Sequence, residues 1–109
     1  YEFAKGNYVI IGGDWNQKPP NYLPIDASKE YLDQGFTGNE IPEQWEWISD
    51  QRTPTNRRLD IPYDAELSYT SVIDYYILSP SLQADSVAVI DVAFAYSDHQ
   101  PVYLKVSIK

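Results

Sequence analysis

The chain has 109 residues, enough for one small domain, and carries 16 acidic against 8 basic side chains for a formal net charge of −8. Without cysteine it has no disulfide and no thiolate metal site. Its charge opposes the counterion release that drives binding to duplex nucleic acid, with Arg52, Arg57 and Arg58 the one basic cluster, and no apolar stretch approaches the ~20 residues of a membrane helix.

Tyr1 opens without an initiating Met or a targeting pattern, which reads as an internal segment of a longer protein. The polar Lys5-Gly6-Asn7 suggests a helix exit and turn, and residues 8–11 then read as a continuous buried strand. That strand stops at "GGDWN", residues 12–16. Six prolines with interspersed Gly, Asn and Asp make residues 18–70 mostly loop, with short helical turns expected over 27–32 and 44–48. The aromatic residues of this stretch argue for order, because disordered segments are poor in them.

Residues 72–78 are a β-branched and aromatic run ended by Ser79-Pro80, a strand with Asp74 in its middle. A further strand is expected over 86–94, kinked near Asp91. In residues 102–108 apolar and polar positions alternate, with Val102, Leu104, Val106 and Ile108 on one face, which predicts a half-buried closing strand.

Three places set chemistry beside strand ends: "GGDWN", "VIDYY" (residues 72–76) and "YSDHQP" (residues 96–101). In extended backbone, residues two apart share a side, so Asp14 and Asn16 can converge on one ligand while Trp15 points away. Gly12 and Gly13 would let a substrate or a neighbouring strand approach closely. A plain reading stays open for each site: Asp14 capping backbone amides, Asp74 bonded to backbone or a Tyr hydroxyl, His99 an ordinary surface or core residue. The sharper reading pairs Asp74 with His99, the single histidine, so that a carboxylate on one ring nitrogen fixes the tautomer and frees the other.

In this order and strand context, "GDWN", "IDYYILS" and "SDHQP" resemble the C-terminal motifs of the endonuclease/exonuclease/phosphatase superfamily of metal-dependent phosphoesterases. The likeness spans residues 8–108. It implies an α/β (α+β) class: the C-terminal half of a two-sheet α/β/β/α sandwich, mainly antiparallel, with a long central loop and residues 1–109 in one incomplete domain. Asp14 would orient or deprotonate the attacking water, and Asn16 would hold a phosphoryl oxygen or the metal. Asp98, with Asp14, would ligate Mg²⁺ or Mn²⁺, and Asp74 would orient His99 toward the transition state. Thr53, Thr55 and Arg57 or Arg58 precede the central motif where relatives carry threonine and basic residues. Trp15, Trp45, Arg57 and Arg58 are candidate substrate contacts.

The family's N-terminal half, with its metal-binding glutamate, has no counterpart here. The resemblance therefore implies a chain inactive or nearly so alone, with a sheet face open to the missing half or to self-association. The acid excess favours a small phosphodiester, a sugar or inositol phosphate or a lipid headgroup over duplex DNA as substrate. The alternative function is a non-catalytic binding or scaffold module of the same fold.

Overall fold

The computed structural model describes residues 7–32 and 34–109. Its elements are β1 (Ile10–Asp14), a 3₁₀ turn (Ala27–Lys29), β2 (Glu46–Ile48), β3 (Asn56–Arg57), β4 (Thr70–Ser71), β5 (Asp74–Leu78), β6 (Leu82–Val89) and β7 (Val102–Ile108). They pair antiparallel in three small sheets, β1-β5-β2, β3-β4 and β6-β7. The described residues contain no α-helix, hence none long and apolar enough to cross a membrane. The α part of the expected class is thus not seen among them; the β-rich, mainly antiparallel part is. The helix exit expected at Lys5-Gly6-Asn7 falls largely outside the described residues.

β5 is the middle strand of its sheet, and its sequence explains why. Alternation sends Tyr75 and Ile77 to one face and Asp74, Tyr76 and Leu78 to the other. On the first face Tyr75, 1% exposed, stacks on Trp15 at 6.0 Å, and Ile77 packs with Ile41 and Trp45. Trp47 lies against the same cluster and meets Phe36 at 5.0 Å, so aromatic residues of the long loop fold back onto this face of β5. On the second face Tyr76 Oη donates to Val102 O at 2.7 Å, tying the β6-β7 hairpin to the central sheet.

Several expectations need correction. The run at residues 8–11 is not a buried strand: β1 is displaced to Ile10–Asp14, pairs on one side only, and all five of its residues are exposed. Of the two close approaches expected at Gly12, that of a neighbouring strand is the one seen: a Cβ there would sit 2.5 Å from the Tyr76 ring of β5. Gly13 has φ +152, a value L side chains rarely adopt, and open space beyond it.

Residues 44–48 are not a helical turn. Pairing with the free side of β5 draws Glu46–Ile48 into β2, where Trp47 lies opposite Ile77. Of the turn expected over 27–32, only Ala27–Lys29 forms, N-capped by Asp26, whose Oδ1 accepts from Ser28 N at 3.0 Å.

The strand expected over 86–94 starts earlier and ends sooner, at Leu82–Val89, because Ser79-Pro80 reverses the chain tightly, with Leu82 N donating to Ser79 O. It carries a bulge between Ala84 and Ser86. The last strand matches its reading, Val102–Ile108. Pairing in β5 begins at Asp74, so that carboxylate stands at a strand mouth and not in mid-strand.

Candidate active site

A buried polar scaffold fixes the site. Thr55, fully buried, donates its amide to Ser71 O, accepts from Gln100 N through its carbonyl, and accepts from Ile73 N and Asp74 N through Oγ1 at 3.0 and 3.2 Å. One residue thereby holds the entry to β5 on one side and the segment bearing His99 on the other. Gln100, 4% exposed, uses its whole amide: Oε1 accepts from Val92 N at 2.7 Å and Nε2 donates to Pro54 O at 2.9 Å. The turn it pins includes Ala93 and Phe94, both at positive φ near 50°, with Phe94 buried against Tyr63. Such backbone persists where surrounding bonds over-determine it.

On this scaffold Asn56 bridges antiparallel to His99, and Asp14 lies opposite Asp74 in the β1-β5 ladder. Like charges directly opposite on one face are destabilising. His99 relieves them. Its Nδ1 donates to Asp74 Oδ2 at 2.9 Å, and its Nε2 is 3.7 Å from Asp14 Oδ2. Asn56 Nδ2 donates to Asp98 O at 3.1 Å and lies 3.3 Å from His99 Nε2. A neutral ring with its proton on Nδ1 satisfies both neighbours, which assigns the tautomer from the network.

The electrostatics follow from these positions. Burial, the largest influence on His99, lowers its pKa, but the Asp74 hydrogen bond and the charges of Asp74, Asp14 and Asp98 outweigh it and the net shift is upward. Burial also dominates at Asp74 and raises it, with Asp14 adding in the same direction; the bonds from His99 and Thr55 and the His99 charge act against this. A simple ion pair would lower the carboxylate. Here its side chain is only 16% exposed, and desolvation wins.

The three separated motifs therefore meet at Asp14, Asp74 and His99, whose ligand atoms all lie within 4.8 Å of one another. Two carboxylates and an imidazole at that spacing suit a divalent cation, with Asp14 the more open carboxylate because Asp74 Oδ2 already accepts from the ring. The Asp98 side chain lies outside that group. Its carbonyl accepts from Arg57 N and Asn56 Nδ2, and Ser97 Oγ donates to its carboxylate at 3.4 Å.

Asn16 does not follow the two-residue alternation. Asp14 Oδ1 accepts from Asn16 N at 2.8 Å in an Asx turn, and Asn16 takes φ 52, leaving its side chain exposed beside the group. The plain capping role thus holds for one oxygen of Asp14 while the other faces His99.

Of the four candidate substrate contacts, Trp15 and Trp45 pack in the small core, and Trp15 Nε1 donates to Tyr75 O. Arg57 Nη1 donates to Ile61 O at 3.0 Å, and Arg58 lies 3.9 Å from Asp60 and over the Tyr69 ring. None of the four meets the carboxylates. Trp45 and Trp47 do line a cavity of about 470 Å³ with Ile41 and Pro20, and a smaller one of about 180 Å³ adjoins Asp74, Gly13 and Gln100.

Sequence reasoning missed Asn56, Gln100 and Tyr31. Tyr31 is half-buried, and burial together with Glu30, Asp98, Asp14 and Asp74 pushes its phenol up to about 12. The signal for Gln100 was present in "SDHQP", where the residue after His99 could be read as its support. Nothing local marks Tyr31.

No family model, curated protein or solved structure matches the chain.

Proposed function

We propose that this chain is the C-terminal part of a metal-dependent phosphoesterase domain of the endonuclease/exonuclease/phosphatase type, supplying the Asp-His half of its active site. The observation that carries the reading is the convergence of Asp14, Asp74 and His99 from three distant motifs onto one hydrogen-bonded group. The exposed Ile10, Ile11 and Ile108 support the complementary proposal that the full domain is a two-sheet sandwich whose other half, or a second copy, covers them.

In this reading Asp74 holds the His99 ring in its protonated form, and Nε2–H donates its proton to the ester oxygen that leaves as its P–O bond breaks and the water oxygen bonds to phosphorus. Asp14 accepts a proton from the attacking water, and Asn16 donates to a phosphoryl oxygen. Asp14 is the carboxylate placed to hold Mg²⁺ or Mn²⁺, with Asp98 a ligand only by the resemblance, and the ion would supply polarisation of the phosphoryl group. The Asp98 side chain, set apart from the other three, is the one observation that favours the non-catalytic binding module instead.

Hydrolysis of bis-p-nitrophenyl phosphate with Mg²⁺ or Mn²⁺ separates the two. The proposal expects no turnover from the chain alone and turnover once the preceding residues of its gene are added, lost in His99→Ala. Turnover that survives His99→Ala, or none from the extended protein, overturns it.

A further inference from the structure

The face of β5 opposite Asp74 adjoins a cavity of a different chemistry. Alternation puts Tyr75 and Ile77 on that face, and β2 adds Trp47 across from Ile77, 6.3 Å from the Tyr75 ring. Trp45 and Trp47, with Ile41 and Pro42, line the cavity of about 470 Å³ noted above. That volume falls within the roughly 300–1,000 Å³ of small-molecule sites, and the residues lining it are not those of the Asp14, Asp74 and His99 group.

The segments around this cavity are fixed by the chain itself. Phe36 N donates to Lys18 O at 3.0 Å, and the Phe36 ring lies against Trp47. The Glu40 carboxylate accepts from Thr37 N at 3.0 Å and Gly38 N at 2.9 Å, and Trp45 N donates to Pro42 O. Gly38 takes φ +104, and a Cβ there would stand 3.6 Å from Pro20 Cβ, so the two segments that carry Asn21 and Asn39 meet. A site formed before its ligand arrives spends little on ordering when it binds.

Two kinds of group line it. Indole rings offer flat apolar faces whose negative quadrupole attracts the slightly positive C–H bonds of a ligand. Asn21, Asn39 and Glu43 are exposed lining residues whose side chains make no hydrogen bond or ion pair among the described residues, so two amides and a carboxylate are open to a ligand. Each amide both donates and accepts, whereas the carboxylate only accepts.

This combination discriminates between ligand classes. An anion meets the Glu43 carboxylate on a chain of net charge −8. A wholly apolar ligand leaves the amides and the carboxylate without partners, and an ammonium has no acceptor for the amide donors. A pyranose ring answers both halves: its C–H face lies on an indole, and its neutral hydroxyls, each a donor and an acceptor, meet the amides and the carboxylate.

We infer that the cavity lined by Trp45 and Trp47 is a saccharide-binding site, set on the face of the central sheet opposite Asp74. It stands independently of the phosphoesterase reading.

The test is a ¹H–¹⁵N NMR titration of the chain with cellobiose, maltose and chitobiose, and with tetramethylammonium chloride as the cationic comparison. At least one disaccharide should give saturable shifts of the Trp45 and Trp47 indole N–H signals, while His99 and the Trp15 indole, which donates to Tyr75 O, move little. Asn39→Ala and Glu43→Ala remove exposed side chains, so circular dichroism should be unchanged while Kd weakens about fivefold in each, the ~1 kcal/mol of one hydrogen bond. No saturable shift with any of the three sugars, binding of tetramethylammonium in their place, or sugar affinity indifferent to both substitutions overturns the inference. Shifts centred on His99 would put the sugar at the acidic group and overturn it as well.

Discussion

The two strands that bring carboxylates together differ in nearly every respect. β5 is paired on both sides, its Tyr75, Ile77 and Leu78 are buried, and the Thr55 hydroxyl receives the Asp74 amide at its entry. β1 is paired on one side and exposed throughout, and its Asp14 is steadied by the ladder to β5 and the Asx turn to Asn16. The Asp74–His99 unit is thus fixed by buried bonds from several segments, whereas Asp14 rides on an edge. In the proposed reading, this rigid Asp-His pair holds its geometry while the more accessible carboxylate meets water and ligand.

Substitutions should reproduce that asymmetry. Tyr75→Ala removes the ring at the centre of the aromatic layer and should cost about 3–5 kcal/mol, read by urea unfolding. Thr55→Val keeps the shape but strips the acceptor from the Ile73 and Asp74 amides, and a loss of about 1–3 kcal/mol is expected with a parallel loss of the Asp74–His99 hydrogen bond. A Thr55→Val protein as stable as the parent would mean that the scaffold is not what holds the site. On β1, Ile10→Ser should change stability by no more than about 0.5 kcal/mol, since Ile10 is already 49% exposed. A large loss at Ile10 would show that the edge is covered in solution, and sedimentation would then report the associated species.

Between these lies the pH dependence. The folded pKa of His99 is above its usual 6.5, so the protonated ring stabilises the fold, fully below 6.5, and this contribution disappears as pH rises through the raised value. Asp50 acts at the other end. Burial raises its pKa, but bonds from Val89 N, Arg52 N and the Arg52 side chain prevail, and its stabilisation is present above 3.8 and lost as pH falls. His99→Gln should flatten the unfolding midpoint near and above pH 6.5 and leave the acid limb in place; an unchanged neutral limb would contradict the pairing.

The sequence was most legible where a local pattern coincides with a tertiary role. Alternation placed β7 correctly, and the oddity of a carboxylate in a β-branched run directed attention to Asp74 and its pairing with His99. It failed where partners decide. Whether "VIIGG" is central or marginal depends on which strands flank it, and Glu46–Ile48 becomes a strand because β5 offers it an edge. Gly-Gly permits close approach of a ligand or of a neighbouring strand, and the partner decides between them: Gly12 admits Tyr76 of β5. Asn56 reaches the site only through its long-range bridges to Ser71 and His99, which no spacing along the chain encodes.

His99 is the one histidine in the chain, so its ring proton gives a single NMR titration curve. The account predicts that this curve lies above 6.5, moves down markedly in Asp74→Asn and moves down less in Asp14→Asn. A midpoint at 6.5 that ignores both substitutions would contradict the convergence of Asp14, Asp74 and His99 on one site.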